Sequence, residues 1–121
     1  MRTQSLALDR SALIMSIACL VHCLALPILA IASPFFALAA EAEWLHWTFA
    51  AIAIIASTGV IAFSAKSLTS AFVAQAIIGN LIIVAGIFGE AIGIGETVPT
   101  AIGGAILAYA HGVRLLQHKN R

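Results

Sequence analysis

Four apolar runs, at about 11–32, 44–64, 69–89 and 98–116, constrain this chain more than anything else in it. Each is near the ~20 residues that a helix needs to cross a bilayer. In lipid only a helix or a closed barrel satisfies its backbone polar groups. Connections as short as these make neighbouring helices antiparallel. Composition identifies the solvent: 62% of the residues are hydrophobic and 9% are charged, against roughly 25% charged in a soluble domain. Too little polar surface exists to coat a water-facing protein. The expected fold is an all-α membrane protein, a single domain over 1–121 forming an antiparallel four-transmembrane-helix bundle.

Local signals mark the ends of the runs. Asp9 or Ser11 is placed to cap the first helix, and Ser33-Pro34 ends it. Thr97 followed by Pro99 reads as a cap and first-turn proline for the fourth. The first run exceeds the ~7–15 apolar residues of a signal peptide, so it reads as a retained span. Arg2 stands where N-myristoylation needs glycine. Gly86, Gly89 and Gly93 give close-packing spacings, with Gly89/Gly93 a small-xxx-small pair, and Gly103, Gly104 and Gly112 continue the pattern.

Charge placement orients the bundle. Arg2, Arg10, Lys66, Arg114, Lys119 and Arg121 alternate with connections holding Glu41, Glu43, Glu90 and Glu96. The positive-inside rule then puts both termini and the Lys66 connection in the cytoplasm. Trp44 and Trp47 suit the opposite interface. A net charge of +1 and the lack of a basic tract give no footing for nucleic acid.

The chemistry concentrates in ACLVHCLALP, inside the first run. Cys19 and Cys23, the only two cysteines, stand at i and i+4 with His22 at i+3. A regular helix puts these three side chains on one face. Thiolate and imidazole are ligands for soft and borderline metals, and ionisable groups within a span usually face a functional interior. A disulfide wants a Cβ separation of about 3.5–4.5 Å, whereas i and i+4 positions lie roughly 5–6 Å apart. Cys19 lies roughly 12 Å from the start of the run at 1.5 Å per residue. Pro27 cannot donate to the Cys23 carbonyl, so a kink is expected there. The plainer readings are buried cysteines acting as small hydrophobes and a His22 hydrogen-bonded across the bundle.

Other histidines extend the set. His111 is expected at the depth of Cys19, where it would complete a metal site, pass protons or snorkel to water. His46, beside Trp44 and Trp47, is a first docking point for a cation or part of an aromatic belt. Glu90 and Glu96 offer an outer acidic vestibule or simple loop solvation, and His118 reads as solvated. No nucleophile elbow or phosphate-binding glycine loop is present, and GIFGEAIGIG follows no strand, so no enzyme constellation is visible.

Four short spans, CLVHCLALP in the first of them and a last span ending in AHGVRLLQHKNR together resemble the MerC family of inner-membrane mercury transporters. The resemblance implies a multi-pass protein of the bacterial inner membrane that takes up Hg(II) from the periplasmic face. Cys19 and Cys23 would be its paired thiols. The ion would be cargo, with no permanently bound cofactor, and would pass to a cytosolic thiol acceptor or mercuric reductase. The well-known members carry CxxC and further C-terminal cysteines; this chain has CxxxC with His22 between, and no later cysteine. His22 suits zinc or copper better than a two-thiol site does. The competing readings are a transporter of such a metal, a membrane thiol or metal sensor, and a structural membrane subunit.

Overall fold

The computed structural model describes residues 2–40, 42–64 and 68–120, leaving aside the side chains of Arg2, Ser5, Cys23, Pro27, Ala39 and Ala40. Glu41, Lys66 and Arg121, which carry part of the charge pattern, lie outside the described residues. Among those described there is no strand. Helix α1 (Arg2–Leu20) passes through a π-helical turn (Val21–Ala25) into α2 (Leu26–Ala30), followed by α3 (Pro34–Ala40), α4 (Glu43–Ser64) and α5 (Ser70–Ile87). A 3₁₀ turn (Gly89–Ile92) then leads to α6 (Thr97–Lys119). Two of these helices, α4 and α5, are long and apolar enough to cross a membrane.

The four long helices pack as α4 against α1, α1 against α6 and α6 against α5, with a lighter contact between α4 and α5. Every packed pair runs antiparallel. On α1 and α4, Leu8 lies beside Gly59, while His22, in the π-helical turn that continues α1, meets His46. On α1 and α6, Asp9 meets His111 while the Ser16 carbonyl lies beside Gly104. On α5 and α6, Phe72 meets His111 while Gly86 lies against Thr100. An Asn80–Ser57 hydrogen bond of 3.2 Å ties α5 to α4. Ala50, Ala53, Val60, Phe72, Ala76, Ile83, Leu107 and Ala110 form the buried core, most of them small enough to bring helix axes close. The large apolar side chains Ile55, Leu81, Ile77 and Val98 point outward, as they do when the surrounding solvent is apolar.

Helix α1 starts well before the expected cap. Asp9 is inside the helix, fully buried, and caps nothing. The kink expected at Pro27 takes the form of the π-helical turn, in which the Leu26 amide bonds the Val21 carbonyl. A proline one residue later removes the next donor, so the wider turn absorbs the interruption.

The glycines divide differently from expectation. Gly103 is the tightest helix contact: a Cβ there would stand 2.6 Å from Ile83 Cγ1 and 2.7 Å from the Gly79 carbonyl oxygen. Gly89 and Gly93 do not form a packing pair. They shape the turn after α5, where Ile94 N–H bonds the Gly89 carbonyl at 2.8 Å and Gly93 takes φ 78°.

Candidate functional site

Two buried polar groups occupy opposite ends of the α1–α6 pair. At one end, Asp9 of α1 meets His111 and Arg114 of α6. His111 Nδ1 donates to Asp9 Oδ1 at 2.7 Å, a tautomer assigned from the acceptor-only carboxylate. Arg114 Nη1 donates to Asp9 Oδ2 at 2.6 Å. Asp9 and His111 are fully buried and Arg114 is 6% exposed. The register explains the meeting: Asp9, Ala12, Ser16 and Cys19 fall on the buried face of α1, and Leu107, Ala110, His111 and Arg114 on that of α6. Phe72 of α5 closes the group. It packs edge-on to His111 at 5.2 Å, and the Arg114 guanidinium lies 5.3 Å from its ring centroid. Removing one partner from a buried ion pair strands the other charge, at a cost of about 3–5 kcal/mol.

At the other end, His22 in the π-helical turn and His46 of α4 meet edge to face, with ring centroids 4.5 Å apart. Both residues are buried. His46 Nδ1 lies 3.3 Å from Glu96 Oε1. Glu96 is the N-cap residue of α6, yet its carboxylate does not cap the helix and turns instead to His46. Its charge still complements the helix N-terminus. Phe49 flanks His22 at 6.0 Å. Cys19, 5% exposed, lies on α1 one turn before His22. The resulting line is thiol, imidazole, imidazole, carboxylate, drawn from α1, α4 and the start of α6.

These positions rearrange the sequence-based set. Cys19 and His22 are buried together as the shared helix face requires. The Cys23 side chain lies outside the described residues. His111 is not at the depth of Cys19: it bonds Asp9, ten residues back along α1, which is roughly 15 Å of helix. His46 is not an interfacial anchor but a buried neighbour of His22, and Glu96 is its partner rather than a solvated loop residue. Among the described residues, no three of His, Cys, Asp and Glu are grouped so as to hold a metal ion. Asp9 and Arg114 are the site residues the sequence reading missed. An acidic residue and a basic one at the same end of the first and last helices, both in the interior register, are the signal that finds them.

Small-residue packing, outward aliphatics and buried charge confined to helix interfaces define a small all-helical protein of the membrane class. The chain belongs to the MerC mercury resistance protein family, whose model matches residues 9–116, from Asp9 to Leu116, and so takes in both buried groups. That places it among mercury-resistance membrane proteins, which are not an enzyme family. No curated protein and no solved structure matches the chain.

Proposed function

We propose that the protein moves mercuric ion from the periplasmic face of the bacterial inner membrane to the cytoplasm. It would do so as a four-span bundle with both termini cytoplasmic. The observation that carries this reading is the series from a partly exposed Glu96 through the buried His46 and His22 to the buried Cys19 one turn back on α1. It runs inward from the end holding Glu43, Glu90 and Glu96, the end opposite Arg10, Arg114 and Lys119. A cation would meet carboxylate first, imidazole next and thiol last, an order of rising affinity for a soft metal. On the Cys19–Cys23 pair, Hg(II) forms two Hg–S bonds and the two thiols release two protons. The neutral product removes most of the penalty of charge in lipid. Transfer onward proceeds by thiol exchange: an incoming cytosolic thiolate binds mercury as one cysteine leaves and takes up a proton. The acceptor is a cytosolic thiol compound or a mercuric reductase.

Accumulation of Hg(II) in cells expressing the protein tests the reading. Such cells should gain mercury, and should be hypersensitive to it when no cytosolic reductase is present. Cys19→Ser and Cys23→Ser should each abolish the gain, because one thiolate cannot bracket the ion. His22→Ala should weaken it less, imidazole being the harder ligand. The His22–His46 contact favours one second reading, a borderline metal such as zinc or copper. For such a cargo, His22→Ala should be as damaging as the cysteine variants. Unchanged mercury accumulation in the Cys19→Ser/Cys23→Ser double variant overturns transport through the thiol pair.

A further inference from the structure

The long helices sort into two pairs, each contiguous in sequence. Helices α1 and α4 come from residues 2–64 and lie side by side from Leu8 and Gly59 to His22 and His46. Helices α5 and α6 come from residues 70–119 and lie side by side from Phe72 and His111 to Gly86 and Thr100. Glycines inside the pairs are closed tight. An added Cβ would stand 2.6 Å from Ile83 Cγ1 at Gly103, 2.8 Å from Thr100 Cγ2 at Gly86 and 3.1 Å from Leu8 Cδ1 at Gly59. The α1–α6 seam between the pairs is looser. There a Cβ would stand 3.6 Å from the Ser16 carbonyl oxygen at Gly104 and 3.9 Å from Leu13 Cδ1 at Gly112, both ordinary van der Waals contacts. The other boundary, α4 with α5, is in light contact.

Polar contacts cross from one pair to the other. Asp9 with His111 and Arg114 ties α1 to α6, His46 with Glu96 ties α4 to the start of α6, and Asn80 with Ser57 ties α5 to α4. A directional bond is lost over a short displacement, whereas a close-packed pair moves as a unit. The Asp9 contacts stand in a telling place. From Cys19 to Asp9 the buried face of α1 carries only the small side chains of Ser16 and Ala12, over ten residues or roughly 15 Å of helix. Asp9, His111 and Arg114, all buried, shut the end of that face, with Phe72 packed against two of them.

We infer that the pairs α1/α4 and α5/α6 rock against each other along the α1–α6 seam, and that Asp9–His111–Arg114 is the latch that keeps Cys19 shut off from the Lys119 end of the bundle. Rocking of one helical unit against another is a known way to open a buried site to one face at a time. The inference rests on the transport reading for its purpose, since an acceptor thiol at the Lys119 end reaches Cys19 only with the seam open.

Thiol labelling of the full chain in membrane vesicles of each orientation tests it. Cys23→Ser leaves Cys19 as the one thiol, and a charged maleimide that does not cross lipid is the probe. Labelling from the Lys119 face should be slow in this parent. Arg114→Gln strands Asp9 in the closed form and should raise the rate from that face at least about tenfold, with no such rise from the opposite face. Asp9→Asn, which keeps the side-chain shape, should act in the same direction and stands in if Arg114→Gln does not fold. Ile83→Ala removes packing inside the α5/α6 pair and should leave the rate near that of the parent. A rise of equal size in Ile83→Ala, or from both faces, means general loosening and overturns the latch, as does an unchanged rate in both Arg114→Gln and Asp9→Asn. No mercury is used, so the latch can fail while mercury accumulation through Cys19 and Cys23 stands, and a one-faced rise supports the latch whatever the cargo.

Discussion

The Asp9–His111–Arg114 group and the His22–His46–Glu96 group use similar residues at opposite ends of the same helices, yet they are built to different standards. The first has contacts of 2.7 and 2.6 Å, a fully buried carboxylate and an arginine to balance it. The second has a carboxylate–imidazole contact of 3.3 Å, two rings that meet edge to face, and a carboxylate whose side chain is 17% exposed. Short, charge-assisted bonds in a closed site lock helices together. Longer contacts between two imidazole rings, next to a partly exposed carboxylate and one helical turn from a thiol, are a looser arrangement. On the proposed function the same chemical inventory serves as a clamp in one place and an approach route in the other, and burial and distance make the difference.

The largest effect that tests this contrast comes from Arg114→Met. It leaves the Asp9 carboxylate buried without a counter-charge, and the protein should lose about 3–5 kcal/mol of stability. Equilibrium unfolding in detergent measures it. The Asp9→Leu/Arg114→Met double variant should recover much of that loss, although not all, because His111 Nδ1 then lacks its acceptor. A single variant that costs under about 1 kcal/mol breaks the clamp interpretation.

A smaller effect separates the clamp from the helix packing beside it. Gly103→Ala drives a methyl group into Ile83 and the Gly79 carbonyl, so α5 must move off α6. Overpacking of this kind costs about 1–3 kcal/mol. The same shift draws Phe72 away from His111 and Arg114. Tested together, Gly103→Ala and Arg114→Met should therefore be less than additive, since they loosen one joint. Full additivity would show that Phe72 contributes nothing to holding the clamp.

The long helices were legible in outline because hydropathy and length speak directly about lipid, although only α4 and α5 are long and apolar enough to cross it. Ser33-Pro34 does mark a break, but α3 begins at Pro34, in what read as a connection. The buried partners were less legible. An aspartate just before an apolar run is the usual N-cap signal, and Asp9 fits it until α6 supplies His111 and Arg114 to satisfy it inside. Arg114 likewise fits a topological charge. The cap reading of Asp9 is overturned, and the topological reading of Arg114 is supplemented, by a partner about a hundred positions away in sequence, which no local pattern encodes. Cys19 and His22 were found because their relationship lies within one turn of one helix. His46 and Glu96 were seen singly but not as a pair, since their contact depends on how α4 meets the start of α6.

The smallest structural effect carries the most functional information. Glu96→Gln keeps the shape of the side chain and removes its charge, at a partly exposed position where such pairs are worth about 1 kcal/mol or less. Stability should hardly move. Mercury accumulation should fall most at low external Hg(II), because the first attraction for the cation is lost while the thiol pair is untouched, and should approach the wild-type level as external mercury is raised. Asp9→Asn makes the same chemical change in the other group, and there the order should invert, with a clear loss of stability and no such dependence on external mercury. Equal stability losses for Glu96→Gln and Asp9→Asn would mean that both groups are clamps, and the approach route would then have to be sought elsewhere in the bundle.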